Sequence, residues 1–264
     1  MRKFDAWFGA HQKIDRVARL HLGRLIAGQG DFPTRKQIIG FEGYDGPDGI
    51  KRKTPAQGEP WHYYNPEDAS DIQILAVIEK NYAELVKALK AKNMTRAAFE
   101  AAWLAHGIVD GLTPAHHYPY EEELVRLRGS GIETRTSAKD KVIIPGNNLP
   151  DKVSKNWQMW GDKGLLASHL AFEWGVAVTI VPLRLSDAMP TDDDIRWVLK
   201  HGVNELFVKR AKAVSELHMY DKFYKSGWNA RLAKQTRKEL VPTIVNTVTL
   251  AWYAAFHEAK LSES

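Results

Sequence analysis

An array of two histidines and an aspartate constrains this chain more than any other feature of its sequence. The segment AHGIVDGLTPAHHY places His106, Asp110 and His116 in an H-x3-D-x5-H pattern, and His169 and Glu173 repeat the four-residue spacing. Because four residues make just over one helical turn, each pair projects from one face of a helix. Imidazole and carboxylate groups are ligands of zinc and similar divalent metals. The spacing therefore predicts a metal site carried by helices.

Hydrophobic periodicity predicts an all-α fold, a multi-helix bundle. Helices are predicted over residues 11–27, 67–90, 95–112, 119–128, 164–179, 191–219 and 229–260. Pro242 is expected to kink the last of them. Residues 29–66, rich in glycine and proline, predict a long N-terminal loop, and 129–160 an irregular segment with a short strand at 141–144. No linker divides the chain, so residues 1–264 are expected to form one domain, with 191–264 as C-terminal helices.

Composition excludes several classes of protein. With 44% hydrophobic and 26% charged residues, the chain is neither disordered nor collagen-like. No apolar run is long enough to span a bilayer and no signal peptide is recognised, so the expected location is the cytoplasm. Without cysteine, zinc would need nitrogen and oxygen ligands. The net charge of +5 indicates either an anionic partner or simply a moderately basic protein.

Three further segments place candidate ligands in a recognisable order. His11 lies in AHQKIDRVA, His62 lies in WHYYNPED, and Asp48 precedes His62 by fourteen residues. Together with the array and the HxxxE pair, this order resembles the zinc-dependent phospholipase C family. That family shares its all-helical fold with fungal zinc-dependent single-strand nucleases. The resemblance covers roughly residues 7–66 and 95–176 and excludes the C-terminal third.

The resemblance implies a cluster of up to three zinc ions, of which two are expected and the third depends on the N-terminus. The implied ligands are Asp48, His62, His106 and Asp110 in one site, His116, His169 and Glu173 in another, and His11 with a bridging Asp110 in the third. Family enzymes complete the third site with a processed N-terminal tryptophan, whereas Trp7 lies inside this chain, four residues before His11. The third site would therefore be absent, or be completed by Asp5, Asp15 or water.

The function that the resemblance implies is hydrolysis of a phosphodiester, a phospholipid headgroup ester, by attack of a zinc-bound hydroxide. Asp48 would be a ligand or the general base. Glu173, where the nucleases would carry aspartate, favours the phospholipase branch. The alternatives are a single-strand nuclease of the same fold, which would take nucleic acid as substrate, and a non-catalytic metal-binding protein.

Several residues keep two interpretations. Asp45 competes with Asp48 for the ligand position, and His11 could instead pair with Asp15. The resemblance implies that residues 129–160 are an inserted loop. Basic side chains in and before it form either a rim that attracts phosphate or a solvated loop: Arg126, Arg128, Arg135, Lys139, Lys141, Lys152 and Lys155. Three tryptophans serve either core packing or stacking on a headgroup or base: Trp157, Trp160 and Trp174.

Overall fold

The computed structural model describes residues 9–43, 46–51 and 53–261, and confirms the all-α prediction, since these residues contain no strand. Its α-helices are α1 Ala10–Leu25, α2 Arg35–Gly40, α3 Pro47–Lys51, α4 Gln73–Lys90, α5 Met94–Gly111, α6 Tyr120–Arg128, α7 Ala138–Val142, α8 Leu149–Trp160, α9 Leu165–Ile180, α10 Asp192–His201, α11 Val203–Ser215, α12 Met219–Ser226, α13 Ala230–Gln235 and α14 Val241–Leu261. Within the described part of the chain, no helix combines the length and the apolar character needed to cross a membrane.

The centre of the bundle is the hairpin of α4 and α5, against which α14 and α1 pack. Asn93 begins α5 by accepting a hydrogen bond from the backbone N–H of Arg96 at 3.1 Å, which satisfies a donor that the helix leaves unpaired. Trp252 of α14 is fully buried, and its indole donates to the carbonyl of Ala101 at 3.0 Å. A buried tryptophan that fills space and pairs its N–H in this way fixes α14 on α5.

The two segments predicted to be irregular contain helices that local capping explains. Within 29–66, Thr34 and Gln37 form a reciprocal capping box at the start of α2. The strand predicted at 141–144 is wrong, because Ser137 caps α7 and the helix continues to Val142. Asn148 then caps α8 by accepting from the N–H of Asp151 at 2.9 Å. Residues 129–160, called the insertion from here on, are thus helical over much of their length.

The C-terminal region contains more and shorter helices than its periodicity predicts. The helix expected over 191–219 breaks at Gly202, whose φ of +88° lies where glycine is favoured. The helix expected over 229–260 contains a π-helical turn at Thr236–Leu240 that separates α13 from α14. Pro242 has no N–H for an α-helical bond to Lys238, and its ring would crowd that carbonyl. The wider turn lies where this bond would be missing.

A second, smaller apolar cluster joins the insertion to the rest of the bundle. It consists of Tyr120, Leu124 and Leu127 from α6, with Ile144 and Met159 from the insertion. Arg128 adds two hydrogen bonds, donating to the carbonyls of Asp140 and Ile143. The insertion is therefore packed on α6, at the side of the bundle where α9 also lies.

The close approach at Gly111, the last residue of α5, leads to a first prediction. A Cβ at Gly111 would lie 2.5 Å from Phe207 Cζ and 2.8 Å from Ile74 Cδ1, and both neighbours are fully buried. Gly111→Ala is therefore expected to lower the free energy of unfolding by about 1–3 kcal/mol. Denaturant unfolding followed by circular dichroism measures this change.

Gly107, on the same helix, provides the matched control. A Cβ there would meet only ordinary contacts, at 3.6 Å from Ile78 Cγ1 and 3.7 Å from Val77 Cγ1. Gly107→Ala should leave stability unchanged or raise it by up to roughly 1 kcal/mol, because alanine is the better helix former. Equal effects at the two glycines would contradict the packing described for Gly111.

Candidate metal centre

Helix α5 delivers the central pair of the array to one place. His106 and Asp110 lie one turn apart, both are almost fully buried, and Asp110 lines a large cavity. The helix ends at Gly111, and a short 3-10 turn, Pro114–His117, follows. Within this turn the N–H of His116 donates to the carbonyl of Thr113 at 2.9 Å. The proline that ends the helix thus turns His116 back toward Asp110.

Asp110 is the shared member of the centre. Its Oδ2 lies 2.5 Å from His62 Nδ1 and 3.2 Å from His106 Nε2. Its Oδ1 lies 3.2 Å from His11 Nε2 and 3.8 Å from His116 Nε2. One buried carboxylate therefore faces four imidazoles that come from four different segments of the chain.

A backbone hydrogen bond fixes the position of His62 relative to His116. The N–H of Tyr64 donates to the carbonyl of His116 at 3.0 Å, which ties the extended segment carrying His62 to the turn after α5. Tyr63 stacks on Tyr120 with ring centroids 5.4 Å apart, and so anchors the same segment to α6. These contacts explain how a histidine outside any helix reaches the centre.

Helix α9 supplies the second group. His169 and Glu173 lie one turn apart, and Glu173 Oε1 is 3.1 Å from His169 Nε2 and 3.0 Å from His116 Nε2. The imidazoles of His116 and His169 meet edge to face with ring centroids 4.7 Å apart. His116, His169 and Glu173 together form one potential metal-binding group, the same three residues that the sequence analysis assigns to one site.

Glu42 is a further member of the centre that the sequence does not predict. Its Oε1 accepts from His106 Nδ1 at 2.8 Å and lies 3.3 Å from His11 Nδ1, and its side chain is almost fully buried. The rings of His11 and His106 stack with centroids 4.2 Å apart. His11, Glu42 and His106 form a second potential metal-binding group. Glu42 lies in the glycine-rich stretch just after α2, where no spacing rule singles it out.

The donor atoms fit divalent metal ions in arrangement and in chemistry. Three groups have their donor atoms within 4.8 Å of one another: His11, Glu42 and His106; His62, His106 and Asp110; and His116, His169 and Glu173. Donors around a tetrahedral zinc ion lie about 3.4 Å apart, close to the separations observed here. Among the described residues, His62 Nε2 and Glu42 Oε2 are buried without a hydrogen-bond partner. Buried polar atoms normally have partners, so these groups could hold a metal ion.

Asp48 and Asp15, two aspartates that the sequence offers as ligands, belong to none of the three groups. Asp48 lies at the edge of the centre, with its side chain 51% exposed, Oδ1 3.9 Å from His106 Nε2 and 3.3 Å from Lys51 Nζ. Asp15 is buried one turn after His11, and neither of its oxygens has a hydrogen-bond partner among the described residues. Asp5, Trp7 and Asp45 lie outside the described residues.

Burial and mutual charge set the protonation of the centre. Burial raises the pKa of Asp110, but His106 and His116 outweigh it and hold that pKa well below its usual value. For Glu173, burial is outweighed in the same way by His169 and His116. Burial lowers the pKa of His106, yet Asp110 and Glu42 raise it well above 6.5. The metal-free centre thus keeps ionised carboxylates and a proton on His106, for which a divalent cation would compete.

The pKa of His62 is shifted in the opposite direction from that of His106. Burial and the nearby charge of Lys51 lower the pKa of its imidazole to about 3, so it is neutral at physiological pH. A neutral imidazole is the form that binds a metal ion.

The centre forms one wall of a cavity of about 1110 Å³. Arg135 and Lys141 line this cavity, but each is paired there, with Glu121 and Glu59 respectively. Arg126 pairs with Glu123 outside it. The basic side chains around the insertion therefore form no continuous unpaired rim at the cavity. The tryptophans of the insertion and of α9 are exposed, which excludes core packing for Trp157, Trp160 and Trp174.

Glu42 permits a direct test of the centre. Glu42→Gln is expected to weaken binding of zinc, used as the probe metal, about 10-fold or more. It removes a charged donor of one group, and loss of a carboxylate that orients a ligand histidine costs this much even without direct ligation. Titration against a competing chromophoric chelator measures the change. Glu59→Gln is the matched control, a carboxylate in the same cavity that pairs with Lys141, and should leave zinc affinity unchanged. An equal loss in both variants would assign the effect to general charge in the cavity.

Comparison of the chain with protein families, with curated proteins and with solved structures finds no significant match.

Proposed function

We propose that this protein is a metal-dependent phosphodiesterase, similar to zinc-dependent phospholipase C, and that zinc is its metal. The observation that supports this most is the sharing of Asp110. Its two oxygens face histidines from four segments of the chain, and His106 belongs to two of the three groups. A single structural metal needs only one closed set of ligands. Overlapping sets favour neighbouring cations, as in two-metal hydrolases.

Neighbouring divalent cations would acidify a water molecule and neutralise charge that develops on phosphoryl oxygens. The residues expected to hold them are His11, Glu42, His62, His106, Asp110, His116, His169 and Glu173. Ionised carboxylates and neutral imidazoles are the states these side chains need for that role.

Lys51 and Asp48 would act on the substrate side of the centre. Burial lowers the pKa of Lys51, but Asp110, Asp48 and Glu173 raise it on balance, so its ammonium stays charged and can attract a phosphoryl oxygen. Burial raises the pKa of Asp48, but Lys51, His106 and His11 outweigh it and lower that pKa to about 2. Such a carboxylate is a weak base. We therefore favour a role for Asp48 in binding metal or orienting water over that of general base.

The cavity favours a phospholipid over a nucleic acid as substrate. A single-stranded nucleic acid needs a basic groove that follows its backbone, yet Arg135 and Lys141 are both paired with glutamates. Apolar side chains line much of the remaining wall, among them Leu124, Ile132 and Leu166. Such a wall suits the glycerol and upper acyl portions of a lipid once its phosphate reaches the centre.

The test combines metal analysis with substrate choice. The purified protein is expected to contain more than one zinc per chain and to hydrolyse a soluble generic phosphodiester. Activity should be lost with a chelator and return on adding zinc. Hydrolysis of phosphatidylcholine, with no cleavage of single-stranded DNA, would support the phospholipid substrate, and the reverse result would assign a nuclease. A single tightly bound metal without hydrolysis of either substrate would reject the proposal and indicate a non-catalytic metal-binding protein.

A further inference from the structure

Helix α8 carries an apolar face that nothing in the described chain covers. Four large apolar side chains recur along it at intervals of three and four residues, and each is between 45% and 74% exposed: Leu149, Val153, Trp157 and Trp160. At this spacing they share one side of the helix. The opposite side is the one that packs, since Met159 is fully buried in the smaller apolar cluster.

Helix α9 carries a second uncovered apolar face. Leu170, Trp174, Val178 and Val181 follow the same spacing at its surface and are between 44% and 68% exposed. Its inner side is also apolar, with Phe172 and Ile180 fully buried. A helix that is apolar around most of its circumference is normally enclosed by protein or lipid.

The two faces are neighbours and meet at the mouth of the cavity. Helices α8 and α9 pack against each other. Trp160 from α8 and both Leu170 and Trp174 from α9 line the cavity that contains the metal centre. Large exposed apolar patches on soluble domains commonly mark interaction sites. Here the patch is continuous with the opening through which a substrate would enter.

We propose that this α8–α9 face docks the protein on the surface of a phospholipid bilayer, with the mouth of the cavity turned toward the lipid. Tryptophan is the side chain best suited to the boundary between headgroups and acyl chains. Charge is also complementary, since lysines outnumber aspartates five to three between residues 138 and 163. Lys139, Lys152 and Lys163 are exposed there, where they can meet anionic headgroups.

Other occupants fit the face less well. Aliphatic side chains occupy the other positions of both faces, whereas a single-stranded nucleic acid needs a series of stacking platforms beside a basic track. A second copy of the chain on this face would cover the mouth of the cavity. A bilayer is the one partner that both buries the apolar side chains and presents a phosphodiester to the opening.

Binding to vesicles tests the docking surface without turnover. The full-length protein is mixed with large unilamellar vesicles of phosphatidylcholine and phosphatidylglycerol in the presence of chelator, and the bound fraction is measured by flotation. The wild-type protein should float with the vesicles, and less strongly with pure phosphatidylcholine. The double variant Val153→Ser/Trp157→Ser should weaken binding about tenfold or more, since it removes two exposed apolar anchors.

The matched control is Leu20→Ser/Ile72→Ser, which removes two similarly exposed apolar side chains that lie outside the face and the cavity. It should bind vesicles like the wild type, and unfolding curves confirm that both variants are folded. Equal loss in both variants, or no binding by the wild type, would overturn the proposal. A wild-type dimer that the α8 variant converts to monomer, or binding of single-stranded DNA in place of vesicles, would overturn it as well.

The choice of phosphatidylcholine as a physiological surface rests on the proposed function, but the flotation result does not. If the protein floats with vesicles but hydrolyses no phosphodiester, the docking surface is supported and the proposed phosphodiesterase activity is rejected. Hydrolysis of a soluble diester by a protein that never floats would do the reverse.

Discussion

Replacing Asp110 by asparagine is expected to lower phosphodiester hydrolysis about a thousandfold, because bound cations contribute several kcal/mol to stabilising the transition state. The substitution keeps the shape of the side chain and removes its charge. Asp110 is the carboxylate that faces His11, His62, His106 and His116 together, so its loss removes a donor from one group and the charge that faces histidines of the other two. Zinc content per chain should fall with activity, as measured by elemental analysis after gel filtration.

Glu100→Gln separates this effect from the general cost of changing a buried carboxylate. Glu100 lies on the same helix and is equally buried, but its partner is Arg96 and it lies outside the cavity. This variant should keep full zinc content and activity, even if its stability falls. An Asp110→Asn protein with wild-type activity and zinc content would be incompatible with the centre described above.

Below the raised pKa of His106, zinc affinity is expected to fall by about tenfold for each pH unit and for every proton that the metal displaces. The raised pKa of His106 means that its proton stabilises the metal-free fold fully below pH 6.5, a contribution lost as pH rises through the shifted value. The lowered pKa of Asp110 stabilises the fold above pH 3.8, and this contribution disappears as pH falls through the shifted value. Acid therefore favours the proton over the metal at His106.

Calorimetric titration of zinc in buffers of different ionisation enthalpy measures the protons released on binding. At least one proton per chain should appear near neutral pH. The Glu42→Gln variant offers a comparison, since removing that charge lowers the pKa of His106 and should reduce proton release. An affinity that is constant over this pH range, with no proton released, would contradict the competition between metal and proton.

The part of the centre that sequence predicts is the part encoded by short-range spacing. His106 with Asp110, and His169 with Glu173, are each one helical turn apart, so a rule of helix geometry identifies them before any fold is known. Glu42 has no such signal. It lies 64 residues from His106, in a stretch without periodicity, and only the packing of α1 and α2 against α5 brings it there. The carboxylate chosen in its place, Asp48, lies at the edge of the centre.

In the fold, too, sequence predicts what local patterns determine and misses what long-range packing determines. Apolar periodicity predicts α1, α5 and α9 to within two residues, and it predicts the end of α4 but a start six residues too early. By contrast, α2, α7 and α8 depend on capping residues within polar segments. The tryptophans of α8 and α9 could not be assigned to core or surface from sequence. A helix such as α9, apolar on almost every side, has no pattern that says which side faces inward. The helices that pack against α9 determine which of its sides is buried.

The π-helical turn at Thr236–Leu240 lets the C-terminal region hold one extra residue without changing which side of each helix faces the core. Such a turn holds one residue more than an α-helical turn, and Leu232 before it and Ile244 after it are nevertheless both buried. In a regular α-helix, the twelve steps from Leu232 to Ile244 would place these side chains about 120° apart, whereas eleven steps would place them about 20° apart. The wider turn takes up the twelfth step, so both side chains face the core. A chain shortened by one residue within the turn should therefore keep this packing, whereas an unbroken α-helix of the present length would turn Leu232 away from the core.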